Sequence, residues 1–234
     1  MFRRNVDKEL LDVARLISRA QKLRDARQFR ESAGIYAELV RRFDEWPERR
    51  EEGLRPSLSA LGEMLWKSGD LTGAAQTYDR LAAYQHERSN MEEAEFAWEA
   101  AARISGEANR LSDSESRARK AVAAAQELNN PVIGARATQV LAQGLFLQGR
   151  TEESEALLLP IVDVDAAGSD DAAWVRCNTY ELLTRIAVQR GDTAAARGWA
   201  TRLQEAMPSN GAADDQRRRA IQELLSQVLS VEGT

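Results

Sequence analysis

Residues 58–81 read LSALGEMLWKSGDLTGAAQTYDRL. Leu58, Leu61 and Leu65 lie on one face of a helix, and the Gly-Asp step at Gly69 ends that helix before a second apolar stripe begins. The same sequence of glycine, polar residue and, five positions after the glycine, a small residue recurs at Gly149 and Gly191. The three glycines are 80 and 42 residues apart. A period near 40 residues predicts stacked helical hairpins.

Apolar stripes at helical spacing extend this pattern along the chain. We predict five hairpins at residues 1–46, 47–87, 88–130, 131–170 and 171–210, followed by an amphipathic capping helix in 211–234. The whole chain, residues 1–234, is expected to form one all-α domain, since alternating runs of Val, Ile and Thr that would indicate a sheet are missing.

Local signals set the expected helix ends. Trp46-Pro47 stops the second helix, and Gly53 and Pro56 predict a kink or a short separate turn at the start of the third. Ser89 is the expected cap of the fifth helix, and Ser112 with Glu115 matches a capping box that would open the sixth. Residues 164–170 are expected to form a loop.

Composition excludes several functional classes. Hydrophobic residues make up 43% of the 234, and the formal net charge is −5 with both signs interspersed, which disfavours nucleic-acid binding. No apolar run has the length of a signal peptide or of a membrane span. The single cysteine, Cys177, cannot form an intrachain disulfide, which fits a reducing compartment. We therefore expect a cytoplasmic protein without membrane contact.

Catalytic and cofactor-binding patterns are missing from the sequence. His86 and Cys177 are the only histidine and cysteine, and 91 positions separate them. His86 is expected near a helix end, and Cys177 is expected to be a small buried apolar residue. The acidic residues Asp163, Asp165, Asp170 and Asp171 are interpreted as a solvated loop, and metal-ligand spacing and phosphate-binding glycine loops are not present. The sequence predicts no enzyme, no cofactor and no metal.

The hairpins resemble tetratricopeptide repeats. The best match comprises Leu58, Leu61, Gly62, Leu65, Gly69, Asp70, Leu71, Ala74, Tyr78 and Leu81. Weaker matches lie in the fifth pair around Gly191 and Ala196, the fourth around Gly149 and Ser154, and the first around Ala20, Ser32 and Tyr36; the third is weakest, with Gly106, Ala118, Val122 and Ala125. The resemblance implies a right-handed α-solenoid of about five hairpins. Small residues at positions such as Gly62 and Ala74 would let paired helices approach closely.

The resemblance also implies a concave groove lined by the first helix of each hairpin. The expected groove residues are Trp66, Lys67, Arg103, Arg110, Arg136, Gln139, Gln143, Phe146, Glu181 and Arg185. Arginines and aromatics on such a surface suit a peptide end or an acidic helix. Two alternatives remain open here: Trp66 and Phe146 pack against neighbouring helices, or the arginines pair with acidic residues of the same face, namely Glu63, Glu107 and Glu181.

The predicted function is therefore non-catalytic binding of a protein or peptide, as an adaptor or scaffold. One alternative is a ligand- or peptide-sensing regulatory module that acts with a separate effector. Another is a self-assembling structural protein, in which apolar end helices pair two copies into a homodimer.

Overall fold

The computed structural model describes residues 2–164, 170–206 and 215–229. In these ranges the protein has eleven α-helices, two short 3₁₀ turns and no strand, as the sequence predicts. The helices are α1 (Phe2–Asp25), α2 (Phe29–Asp44), α3 (Arg50–Lys67), α4 (Leu71–His86), α5 (Met91–Glu107), α6 (Leu111–Leu128), α7 (Pro131–Leu147), α8 (Thr151–Leu158), α9 (Asp170–Arg190), α10 (Thr193–Ala206) and α11 (Asp215–Leu229). The 3₁₀ turns are Pro47–Arg49 and Leu159–Ile161.

The chain divides into two compact units, Met1–Ala124 and Ala125–Thr234. The first unit holds α1 to α5 and most of α6, and its core surrounds the fully buried Leu39, Leu58 and Met64. The second unit holds α7 to α11, and its core surrounds Leu182 and Ile186. Each unit thus buries an apolar core of its own.

The turn inside each hairpin is the same structure. Its central residue has a left-handed backbone, with φ between 55° and 86° at Arg27, Gly69, Asn109, Gly149 and Gly191. At Gly69, the N–H of Asp70 donates to the Leu65 carbonyl (2.9 Å) and the N–H of Gly69 donates to the Trp66 carbonyl (3.0 Å). This is a Schellman motif, and the equivalent two bonds form at the other four turns. The turns are 42, 40, 40 and 42 residues apart, so the repeat is regular along the described chain.

This register corrects the sequence interpretation of the third hairpin. Counting from Asn109, the close-packed small residues are Ala102 and Ser114, both buried, and not Gly106 and Ala118. The matching serines of the first and fourth hairpins, Ser32 and Ser154, each donate a hydrogen bond to a carbonyl twelve residues earlier (2.9 and 2.8 Å). The turn residue of this hairpin is Asn109, which has a positive φ, so a sequence pattern based on glycine does not detect the turn.

The start of α3 also differs from the prediction. A 3₁₀ turn at Pro47–Arg49 precedes α3, but the helix then runs without interruption through Gly53 and Pro56. A Cβ at Gly53 would overlap the ring of Phe43, which packs there from α2. Gly53 therefore provides space for an aromatic side chain and does not break the helix.

Two of the predicted caps are wrong. Ser89 has a left-handed backbone (φ 56°) and Asn90 precedes α5, while α6 begins at Leu111 and so contains Ser112 in its first turn. Asp70 and Asn130 do cap helices, since their side chains accept hydrogen bonds from the N–H groups of Gly73 and of Val132 and Ile133. Of the predicted loop at 164–170, residues 165–169 lie outside the described residues, and Asp170 already belongs to α9.

The last described helix packs as the sequence predicts. Its buried residues, Ile221, Leu224, Leu225 and Val228, join the core of the second unit, while Glu223 is exposed. Cys177 is buried in the same core. None of the helices in the described ranges combines the length and the apolar character needed to cross a bilayer.

Candidate functional site

The first helices α3 and α5 present one continuous set of side chains in the first unit. We define the α3–α5 face by Ser59, Glu63, Trp66 and Lys67 on α3 and by Phe96, Glu99, Arg103 and Glu107 on α5. The indole N–H of Trp66 donates to Glu107 Oε2 (2.7 Å), and Arg55 pairs with Glu93 nearer the start of both helices. These two contacts place α3 and α5 side by side with their exposed residues adjacent.

The cations of this face already have acidic partners. Lys67 Nζ lies 2.5 Å from Glu63 Oε1 and 5.8 Å from the ring centroid of Phe29. Arg103 Nη1 lies 3.7 Å from Glu99 Oε1. The alternative that arginines pair with Glu63 and Glu107 does not describe this face, because Glu63 pairs with Lys67, Arg103 pairs with Glu99, and Glu107 accepts from Trp66. The Lys67–Glu63 pair is exposed, and such pairs are worth about 0–1 kcal/mol, so a ligand can exchange it at little cost, whereas the Glu99 side chain is buried beneath the exposed Arg103.

Two tyrosines report the electrostatics beneath the face. Burial raises the pKa of Tyr78, Glu63 raises it further, and Arg103 lowers it. Burial also raises the pKa of Tyr36, where Arg24 lowers it and Glu63 raises it. Glu63 therefore acts on both phenols and lies between the second helices of the first two hairpins.

Two aromatic side chains remain open to solvent on the α3–α5 face. Trp66 is 39% exposed and Phe96 is 54% exposed. The sequence analysis identified Trp66 but missed Phe96, because it placed the third hairpin four residues out of register. Aligning Asn109 with Gly69 and Gly149 puts Phe96 at the repeat position that Arg136 holds in α7.

Arg110 is not on a first helix. It lies in the turn between α5 and α6, where its guanidinium pairs with Asp113 (2.6 Å). The expectation that Arg110 belongs to the groove came from the same shift in register. Its ion pair closes the turn at the start of α6.

The second unit carries the other predicted groove residues. Arg136, Gln139, Gln143 and Phe146 form a half-buried stripe on α7, and the Phe146 side chain packs against the core. On α9, Arg185 hydrogen-bonds to Glu181 (2.8 and 3.0 Å), while Val188 is 47% exposed. For Phe146 the packing alternative is therefore correct, and the Arg185–Glu181 pair matches the pairing alternative.

The described ranges contain no cluster of metal-ligating side chains. No group of three or more His, Cys, Asp or Glu side chains there could hold a metal ion. The His86 ring lies 5.5 Å from the Trp98 ring at the end of α4, as expected for a residue near a helix end. Of the acidic residues at 163–171, the side chains from Asp165 to Asp171 lie outside the described residues.

Comparison with known proteins bears on the fold. Residues 135–160 match the family model described as tetratricopeptide repeat. No curated protein matches the sequence. The chain is similar to the crystal structure of BtubC (BKLC) from P. vanneervenii, at 18% identity, with 91% of each chain covered and a TM-score of 0.67.

A second similar structure comes from Podosopora anserina, a protein assigned to the kinesin light chains with nearly identical TPR-like repeats. It is 15% identical, with 83% of this chain and 95% of that chain covered and a TM-score of 0.63, and a point variant of it gives 0.65. At these identities the likeness shows the fold alone. Residues 135–160 thus match the tetratricopeptide-repeat model, and the chain has a helical-repeat fold similar to that of these TPR-like structures.

Proposed function

We propose that this protein is a non-catalytic adaptor that binds a protein or peptide on its first-helix faces. The observation that carries the proposal is the pair of exposed aromatics, Trp66 and Phe96, on the otherwise ion-paired α3–α5 face. Tetratricopeptide-like folds commonly mediate protein interactions, which supports the same function. The proposed setting is the cytoplasm, and no cofactor takes part.

The chemistry of the α3–α5 face suits a partner that combines apolar and charged groups. Aromatic side chains contribute large contact area at low conformational-entropy cost, so Trp66 and Phe96 serve as anchors. Lys67 can exchange Glu63 for a carboxylate of the partner, because exposed ion pairs contribute little stability. The exposed Arg103 guanidinium can bind a second carboxylate while it stays paired with the buried Glu99. Affinity then comes chiefly from the aromatics, and charge determines orientation.

In the second unit, we assign supporting polar contacts to α7 and α9. Arg136, Gln139 and Gln143 form one stripe along α7, and Glu181 and Arg185 form a pair on α9. These groups offer hydrogen bonds without an exposed aromatic anchor. Their expected contribution to affinity is therefore smaller than that of Trp66 and Phe96.

Affinity capture tests the proposal. Immobilised wild-type protein and a Trp66→Ala/Phe96→Ala variant are incubated with lysate of the source organism, and bound proteins are quantified by mass spectrometry. The matched control is Leu11→Ala/Leu159→Ala, which removes two apolar side chains outside the α3–α5 face that are 59% and 51% exposed. We expect the amount of the specific partner that is recovered to fall about tenfold or more with the aromatic variant, as for interface hot spots. The amount recovered with the control variant should equal that with the wild type.

Equal recovery of every captured protein by the wild type and the aromatic variant would contradict the proposal. Light scattering at two concentrations addresses the self-assembly alternative. A rise in mass with concentration that the aromatic variant abolishes would identify a second copy of the chain as the partner.

A further inference from the structure

A cleft opens between α2 and the α3–α4 turn, on the side of α3 away from the α3–α5 face. Its volume is about 580 Å³, within the range of about 300–1,000 Å³ typical of ligand pockets. Small and apolar residues form its floor: Ala33, Gly34, Ala37, Leu61 and Leu65. All of these residues belong to the first unit.

The next hairpin interface shows how this position is normally filled. There, the Arg117 guanidinium of α6, whose side chain is 12% exposed, donates to Asp79 of α4 (2.6–3.0 Å) and to the Ser105 hydroxyl of α5 (2.6 Å). Counted from the turn residues Arg27, Gly69 and Asn109, Arg117 corresponds to Thr77, Asp79 to Ala37, and Ser105 to Leu65.

Thr77 cannot fill the cleft as Arg117 does. It is shorter than arginine, and its hydroxyl bonds to the Gly73 carbonyl of its own helix (2.8 Å). With Ala37 replacing the aspartate, no carboxylate lies at the position that Asp79 holds at the next interface. The open position therefore suits an apolar side chain and not a cation.

The charged residues at the rim of the cleft determine which charge a partner should carry next to that apolar side chain. No acidic group in the described ranges pairs with Arg30, whereas the Asp70 carboxylate is engaged by the Gly73 N–H (2.9 Å) at the start of α4. The helix dipole further offsets the negative charge of Asp70. Arg30 is thus the charged group at the rim that can bind a partner, and guanidinium groups bind carboxylates in a bidentate geometry.

We propose that this cleft receives a leucine-sized side chain from an acidic segment of a partner protein, with a neighbouring carboxylate bound to Arg30. The inference rests on the proposed partner-binding function, but it uses a surface separate from Trp66 and Phe96. A partner would then be held at two places on the first unit, which raises both affinity and selectivity.

The test uses the full chain and a seven-residue peptide probe with one leucine between two glutamates. Two control peptides carry serine in place of the leucine, or lysines in place of the glutamates. Binding is followed by ¹H–¹⁵N NMR titration, in which the amides of Gly34 and Gly69 report on the cleft. We expect both amides to shift with the probe and at least tenfold weaker binding of each control peptide.

Variants that block the cleft show whether the peptide binds there. Gly34→Leu places an apolar side chain at the cleft, where an added Cβ meets no atom within 4 Å, and leucine favours the helix. Gly198→Leu in α10 is the matched control, because its Cβ is equally unobstructed and lies in the other unit. Gly34→Leu should weaken probe binding at least tenfold, and Gly198→Leu should leave it unchanged. Arg30→Glu should reverse the preference toward the lysine peptide.

Unchanged probe binding by Gly34→Leu, or equal binding of all three peptides, would overturn the cleft proposal. Neither result would contradict the proposed function, because that function is tested separately with the Trp66 and Phe96 variants. If the aromatic variant loses partner capture while Gly34→Leu leaves peptide binding unchanged, the whole interface lies on the α3–α5 face.

Discussion

At the scale of the residue, backbone conformation explains why the repeat is regular. The left-handed turn position is glycine in three hairpins, Arg27 in the first and Asn109 in the third. Glycine adopts this conformation without the steric cost of a Cβ, and asparagine tolerates it better than most residues. The hydrogen bonds of the turn impose the conformation even on an arginine, so geometry is conserved among the hairpins where residue type is not.

Substituting two glycines by alanine separates backbone strain from helix propensity. No atom blocks a Cβ at either Gly69 or Gly34, but Gly69 has φ +86° whereas Gly34 is helical. Gly69→Ala should lower the free energy of unfolding by about 1 kcal/mol, because the left-handed conformation strains alanine. Gly34→Ala should raise it by about 1 kcal/mol through helix propensity. Urea denaturation measures both, and changes of the same sign would contradict the assigned turn.

At the scale of the element, the sequence predicts helices well and their register less well. Apolar periodicity located every described helix, because a buried face must recur at helical spacing. Local signals were less successful: Ser89 and Ser112 are not the caps that they predict, since the hydrogen-bonded turns fix the helix ends. They also predict a kink or a short separate turn at Gly53, whereas that glycine gives room to the Phe43 ring of another helix and α3 continues through it.

The site was predictable to the same degree. Trp66 and Lys67 followed from a hairpin whose turn contains glycine, whereas Phe96 was missed and Arg110 misplaced because Asn109 concealed the third turn. The burial of Phe146 depends on packing within the second unit, which a single helical stripe does not encode. The apolar pattern of one helix does not predict its contacts with helices that are distant in sequence.

The Arg117 cluster is the element-scale interaction most open to a quantitative test. Arg117 is 12% exposed and bridges α4, α5 and α6 through Asp79 and Ser105. Arg117→Ala and Asp79→Ala should each lower the free energy of unfolding by about 1–3 kcal/mol. In the double variant the two losses should overlap, giving a coupling energy of at least about 1 kcal/mol.

Arg119→Ala is the control for this cycle. Arg119 lies on the same helix and pairs with Glu115, but its side chain is 55% exposed. Its removal should change stability by less than about 0.5 kcal/mol. Equal effects at Arg117 and Arg119, or additive losses at Arg117 and Asp79, would show that the cluster does not hold the hairpins together.

At the scale of the whole molecule, the protein consists of two compact units built from one repeated hairpin. Each unit buries a core of its own, and the exposed Trp66 and Phe96 lie outside the core clusters. On the α3–α5 face, ion pairs hold the polar groups in place while two aromatics stay open to solvent. Such a surface is expected on a protein whose role is to hold another.

Site-specific photo-crosslinking in cells tests this central claim most directly. A benzoyl-phenylalanine is placed at position 96 on the α3–α5 face or, as a control, at position 159, where the native leucine is 51% exposed. The account predicts a discrete crosslinked partner from position 96 and none from position 159. The same crosslinks from both positions, or none from position 96, would contradict it.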